Sequence, residues 1–179
     1  AEYMYGREDK TAFGEKDALD TADNYTMGNS IMFYAVDTGK PYKFVKPDWA
    51  YTYTEEDMNH RPHNNVNSGY WWIELGGKSL HTIYDAEELR DELTKTVYGI
   101  WDHIKNGGDH GAENFELEWV CMLPGKRESR RLLGDYVLTE NDLMENRHFN
   151  DAVGYGGWPI DCHVIDGFKT DSEKAAPTY

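Results

Sequence analysis

The sequence predicts an α+β domain: an antiparallel or mixed sheet carrying one long amphipathic helix and short helices. Three observations lead there. One segment has helical hydrophobic periodicity, several shorter ones have strand periodicity, and the two kinds do not alternate as a parallel sheet would require. The chain has 179 residues, enough for one domain that buries roughly 70% of its unfolded surface. The expected organisation is one domain over 1–166 followed by a polar tail over 167–179.

The first strand is Ser30-Ile31-Met32-Phe33-Tyr34-Ala35-Val36, ended by the turn residues Asp37-Thr38-Gly39-Lys40. Tyr70-Trp71-Trp72-Ile73-Glu74-Leu75 ends in the same way at Gly76-Gly77. The helix spans 85–106. Leu89, Leu93, Val97, Ile100, Trp101 and Ile104 share one face. Asp85 is its expected N-cap, with Glu88 in capping-box spacing, Asp91 and Lys95 form an i,i+4 pair, and Asn106-Gly107-Gly108 closes it through a left-handed glycine. Phe115, Leu117, Trp119, Cys121 and Leu123 then alternate with Glu116, Glu118, Val120 and Met122, the signature of a half-buried strand. Pro124-Gly125 is expected to turn the chain so that 129–138 runs back beside it. Thr139 has the hydroxyl to cap a short helix beginning Glu140-Asn141-Asp142, whose acids favour the positive end of the helix dipole.

Charge excludes some functions. Eighteen Lys and Arg stand against 33 Asp and Glu, a net charge of −15 that repels phosphates, so neither a nucleic-acid nor an anionic-lipid partner is expected. Aromatics reach 14%, with six Trp and thirteen Tyr, too many for a disordered acidic chain. No apolar run is long enough to span a membrane. The first residues lack the basic and apolar regions of a signal peptide, and the start reads as cut from a longer protein. Localisation is left open. Cys121 and Cys162 fit either one bridge or two buried thiols.

Within this acidic chain, Lys126, Arg127, Arg130 and Arg131 fall in six residues of Pro124-Gly125-Lys126-Arg127-Glu128-Ser129-Arg130-Arg131. Guanidinium forks grip carboxylates or phosphates with paired hydrogen bonds, so the run suits an anionic ligand, or else a solvated hairpin neutralised by local acids. Gly154-Tyr155-Gly156-Gly157-Trp158-Pro159-Ile160-Asp161-Cys162-His163 combines glycines that permit close backbone approach with an aromatic that can pack on a flat ligand. It equally fits a glycine-bent strand. Pro159 occupies the last glycine of a dinucleotide fingerprint, and no such fingerprint occurs elsewhere. Ser129 lacks a nucleophile-elbow context. His60 and His63 are separated by Pro62, His103 and His110 flank the helix end, and no spacing matches a zinc pattern, so no metal site is expected. The acids Glu74, Glu116 and Glu118 are too common a grouping, among 33, to mark glycosidase chemistry.

Taken together and in order, Tyr25-Thr26-Met27-Gly28-Asn29-Ser30, Gly69-Tyr70-Trp71-Trp72-Ile73-Glu74, Gly99-Ile100-Trp101-Asp102-His103-Ile104-Lys105-Asn106, the 124–131 run and Gly156-Gly157-Trp158-Pro159-Ile160-Asp161 resemble a group of bacterial FAD-dependent oxidoreductases, some of which carry the label xanthan lyase. The resemblance covers most of 1–166. It implies an internal substrate-side (cap) domain without the FAD-binding segments, inactive alone, with carbohydrate-derived substrates in view. FAD is expected in the parent protein and none bound to this chain. The implied partners are the FAD-binding domain of the same polypeptide and a small-molecule or saccharide substrate. The resemblance further implies that Arg127 and Arg130 are catalytic and stabilise developing negative charge. It assigns Gly156, Gly157 and Trp158 to the cofactor, and Arg131 and His163 to the substrate. The alternative is a carbohydrate-binding or polysaccharide-lyase-associated module, with Trp49, Tyr70, Trp71 and Trp72 stacking on sugars.

Overall fold

The computed structural model describes residues 2–58, 63–64, 70–157 and 165–169, with 70–72 described by backbone alone. In chain order the elements are β1 (Tyr3–Tyr5), α1 (Lys10–Phe13), β2 (Asn29–Asp37), β3 (Tyr70–Leu75), α2 (Ala86–Asn106), β4 (Phe115–Val120), β5 (Arg130–Leu132), α3 (Glu140–Met144) and a 3-10 turn, Gly167–Lys169. β2 is central in an antiparallel sheet of order β3-β2-β4, and β1 pairs antiparallel with β5 in a second, two-stranded sheet. This is the α+β architecture expected from the periodicities, with α2 as its one long helix. No described helix is long and apolar enough to cross a membrane.

Strand β2 buries Asn29, Ile31, Phe33 and Ala35 on one face, which is why it runs through the middle of the sheet. The apolar stripe of α2 covers that face. Leu89, Leu93, Val97, Ile100, Trp101 and Ile104 pack with Ile31, Phe33, Ile73 and Leu75. Full burial of each such side chain contributes about 1.5–3 kcal/mol. Gly76 and Gly77 end β3 with φ of 87° and 101°. A side chain at Gly77 would collide with the Thr26 carbonyl, so this glycine permits both the turn and a close backbone crossing.

Helix α2 occupies the expected span, but its ends are built differently. Asp85 makes no capping bond to the helix. Its Oδ2 accepts instead from the His81 backbone N–H at 2.8 Å, fastening the preceding turn. Lys95 pairs with Glu92 at 3.0 Å and Asp91 with Arg90, so the expected Asp91–Lys95 pair does not form: nearer partners capture both charges. At the C-terminus Gly107 has φ −83°, not a left-handed conformation, and its N–H donates to the His103 carbonyl at 2.8 Å.

A bulge alters the strand over 115–120. Leu117 faces Ala35 and Trp119 faces Tyr34, so one extra residue, Glu118, is accommodated between adjacent β2 partners. The extra residue shifts the pleat, and Val120 rather than Trp119 lies opposite core-facing Phe33. Trp119 stacks with Tyr34 on the other face, with centroids 6.0 Å apart. Leu123 and Met122 are exposed. Nor does Pro124-Gly125 reverse the chain. Proline has no N–H to donate, yet Gly125 at once exchanges two backbone bonds with Ser30, at 2.7 and 2.9 Å, and Met27 donates to the Glu128 carbonyl. The chain keeps following the β2 strand, and β5 forms with β1 in the register Tyr3↔Leu132, Met4↔Arg131, Tyr5↔Arg130.

The short helix at Thr139 forms as expected, with a complete capping box between Thr139 and Asp142. Asp142 lies well below the usual carboxylate range. The Thr139 backbone N–H is the largest cause; burial opposes it, and bonds from Tyr136 and Arg147 add to it. A carboxylate depressed on folding contributes stability above its unfolded value of about 3.9, and that contribution is lost as pH falls through the native value. The Asp142 carboxyl NMR shift is therefore expected to stay flat from pH of about 5 to about 3. A midpoint near the ordinary value would remove the capping box from this account.

At the end of the expected domain, Asp166 N–H donates to the Gly76 carbonyl at 3.1 Å, and in the stretch expected as a polar tail Phe168 packs edge-on against Tyr53 at 4.9 Å. The 3-10 turn is thus part of the packed body, and 170–179 lie outside the described residues. Cys121 is half-buried against the core; Cys162 lies outside the described residues.

Candidate functional site

The arginines of the basic run separate into different environments. Arg127 Nη1 reaches Glu74 Oε2 at 3.0 Å, while Glu74 Oε1 accepts from the Gly28 N–H at 3.2 Å. Glu74 is buried on β3, so this bond secures the run against the main sheet. Arg131 places Nη1 and Nη2 of its guanidinium on Glu8, at 2.7 Å each, and Nη2 also donates to the Gly6 carbonyl. Arg131 holds the Glu8 carboxyl below the usual range against the opposing effect of burial. These two side chains fasten the chain segments together.

Arg130 differs. It is exposed, its guanidinium stands 5.2 Å over the Tyr3 ring, and it lines a cavity of about 210 Å³ with Tyr3, Tyr5, His81, Ile83 and Tyr84. The space is below the roughly 300–1,000 Å³ of a drug-sized pocket and suits one small ring or acid group. His81 Nδ1 accepts from the backbone N–H groups of Ile83 and Tyr84, at 3.1 and 3.2 Å. The ring proton therefore sits on Nε2 and is donated to Tyr5 Oη at 2.8 Å, leaving the phenol hydrogen to be donated onward. The bond from Asp85 to the His81 N–H sets this turn. The cavity thus combines a cation, a phenol donor and aromatic faces, suited to a polar ring bearing negative charge. Of this set only Arg130 is singled out by sequence spacing. Tyr3 and Tyr5 arrive through β1–β5 pairing across more than 120 residues.

A second grouping lies at the far end of α2. His103, in the last turn, His110, just beyond it, and His63 turn buried imidazoles toward the Glu55 carboxylate, and their four potential ligand atoms lie within 4.8 Å of one another. His63 and His103 Nε2 each stand 3.2 Å from a Glu55 oxygen, and His110 Nε2 stands 3.7 Å away. Burial, assisted by the other two imidazoles, pushes the His110 value down, with Glu55 opposing. Burial alone would raise Glu55, but the His63 hydrogen bond and the charges of His63, His110 and His103 together bring it below the usual range. Intervals of 8, 40 and 7 residues follow no helical or zinc-ribbon period, so chain spacing offers no reason to group these four. The Gly107-Gly108 pair beside the helix end was the available signal, legible only once the imidazoles are seen to need the room.

A family model described as FAD dependent oxidoreductase matches residues 1–179. The chain belongs to that family. No curated protein and no solved structure matches it. A FAD-dependent oxidoreductase must seat a pyrophosphate, usually at a glycine-rich strand-to-helix turn. The described strands of this family member are all antiparallel, and Asp85, not a glycine turn, precedes α2. Gly156 and Gly157 are exposed, and a Cβ at either would meet nothing within 4 Å, so they form no close cradle among the described residues. These residues by themselves do not fit FAD. Trp158 and His163 lie outside the described residues, as does the packing of the Tyr70, Trp71 and Trp72 side chains. Of Arg127, Arg130 and Arg131, only Arg130 lines the cavity; the other two are held by Glu74 and Glu8.

Proposed function

We propose that this chain is the substrate-side portion of a flavin-dependent oxidoreductase, that another part of the same polypeptide holds FAD, and that the Arg130 cavity receives a carbohydrate-derived substrate bearing an acid group. The observation carrying this reading is the apolar surface on one stretch of chain. Met122, Leu123, Leu132, Tyr136, Leu138, Leu143, Met144, Val153 and Tyr155 are all exposed within 122–155. Such a concentration of exposed large apolar residues along one stretch of chain supports a reading in which another protein body covers it. That body is the FAD-binding part, docked beside the Gly156-Gly157 segment. The tyrosine faces and the Arg130 guanidinium supply what an acidic sugar needs: stacking and a charge partner. Arg127 and Arg131 hold the 124–131 run in place by their bonds to Glu74 and Glu8.

The test has two parts. The 179-residue chain, titrated with FAD, is expected to take up none, and tight stoichiometric binding would refute the division of labour. In the FAD-bearing full-length polypeptide, uronic-acid oligosaccharides mixed anaerobically are expected to bleach the flavin absorbance. Arg130→Ala raises the half-saturating concentration about tenfold, the loss of one charge-assisted contact. An unchanged half-saturation in Arg130→Ala removes the cavity assignment; no bleaching with any such oligosaccharide removes the substrate class.

A further inference from the structure

We propose that Glu55, His63, His103 and His110 form a binding site for one divalent transition-metal ion, held by three imidazole nitrogens and a carboxylate oxygen. The site is separate from the Arg130 cavity and does not depend on the flavin reading.

The arrangement is more specific than a chance meeting of polar side chains. The three imidazole centroids stand 4.8, 4.9 and 5.2 Å apart, close to an equilateral triangle, and all three rings are buried. The Nε2 atoms of His103 and His110 lie within 4 Å of Glu55 but make no hydrogen bond, although both are buried. Leaving a buried polar atom unsatisfied costs about 1–3 kcal/mol. A cation at the centre of the triangle gives these lone pairs the Lewis acid they lack.

The surroundings also prepare the rings. His110 Nδ1 stands 2.8 Å from Asn64 Oδ1. If that oxygen accepts the Nδ1 proton, the Nε2 lone pair faces the centre, as second-layer partners do for metal-bound histidines. Lys105 Nζ donates to the carbonyls of Ala112 and Glu113, both at 2.6 Å, which ties the His110 segment to the end of α2. A Cβ at Gly107 would sit 2.8 Å from His103 Nδ1, and one at Gly108 would sit 3.2 Å from His110 Nε2. The two glycines therefore keep side chains away from the imidazoles, and that need replaces the left-handed cap expected of them. The carbonyl end of a 21-residue helix also favours positive charge.

The donor set selects the ion. Calcium and magnesium require oxygen cages, whereas three imidazoles and one carboxylate suit a first-row ion such as zinc. Tetrahedral zinc with bonds of about 2.0–2.1 Å holds its ligand atoms about 3.3 Å apart. The present spread of 4.8 Å or less needs an inward movement of about 1.5 Å at most. The Glu55 oxygens already stand 3.2–3.7 Å from the three Nε2 atoms, close to that spacing. Bound there, the ion would staple the Glu55–His63 region to the end of α2.

The test uses the full chain, stripped with chelator and titrated with zinc(II) by calorimetry, and with cobalt(II) by visible absorption. The expected result is one ion per chain and the spectrum of four-coordinate cobalt. His103→Ala and His110→Ala are expected to weaken zinc binding about a hundredfold or more, and Asn64→Ala about tenfold, the range for lost ligands and second-layer partners. Glu55→Gln alters an exposed side chain and keeps the fold, so its expected tenfold or greater loss is readable even if a histidine variant misfolds. The exposed His148→Ala is the unaffected control. Absence of stoichiometric uptake overturns the proposal, as does binding by Glu55→Gln and His110→Ala equal to that of the unaltered chain, which marks an adventitious ion only. None of these readouts involves flavin, so either result leaves the oxidoreductase reading where it stands.

Discussion

Arg127→Ala is expected to destabilise the fold by about 2–3 kcal/mol, before any effect on chemistry is considered. The guanidinium is bonded to Glu74, a buried carboxylate that also receives the Gly28 N–H. Breaking a fully buried pair costs roughly 3–5 kcal/mol, because the remaining charge is left uncompensated. Arg127 keeps 28% of its side chain in water, so screening brings the figure down. The double variant Arg127→Ala/Glu74→Gln removes the orphaned charge while keeping an acceptor for Gly28, and is expected to be more stable than Arg127→Ala alone. Urea melts of the four proteins in the cycle measure this. A loss below about 0.5 kcal/mol in Arg127→Ala, or a double variant no better than the sum of its parts, would show that the bond is not structural. This result bears on function as well, since any loss of activity in Arg127→Ala must first be corrected for unfolded protein.

Trp101→Ala should have the largest effect of any single change, about 3–5 kcal/mol. The indole is fully buried and meets Phe33 and Phe44 edge-on, with centroids at 5.7 and 6.4 Å, so its loss opens a cavity between α2 and the sheet. At roughly 2–4 °C per kcal/mol for a chain of this size, the melting temperature falls by about 6–20 °C. Trp101→Phe is expected to cost far less, about 1–2 kcal/mol, because the buried indole N–H has no hydrogen-bond partner to lose and the phenyl ring refills most of the space. Thermal melts of both variants decide the point. Equal losses would mean that the indole nitrogen, not ring volume, anchors the core.

Elements set by local periodicity were legible in the sequence; those set by a distant partner were not. The stripe from Leu89 to Ile104 fixes α2, the alternation over 30–36 fixes β2, and Thr139 carries its cap in its own side chain. Asp85 has the chemistry of a cap, but the His81 N–H competes for it, a contest that residue types alone do not reveal. The Glu118 bulge depends on register with Tyr34 and Ala35, and the hairpin expected at Pro124-Gly125 failed because Ser30 was waiting for Gly125. The same division applies to the sites. The arginine run stood out by charge density, but only tertiary structure separates Arg130, on its cavity, from Arg127 and Arg131, held by Glu74 and Glu8. The three histidines converge through packing of loops on a helix end, and no linear spacing announces that.

The pairing of Tyr3 with Leu132 has a consequence for synthesis. β1 leaves the ribosome long before its partner, and at about 5–20 residues per second β5 follows roughly 6–25 s later. During that interval the edge of β1 is unpaired and Glu8 has no Arg131, while the shorter-range contacts of α1 with its neighbouring loop can already form. The cavity under Arg130 is walled by both strands, so it is a late product of folding, closed only when the two-stranded sheet is zipped.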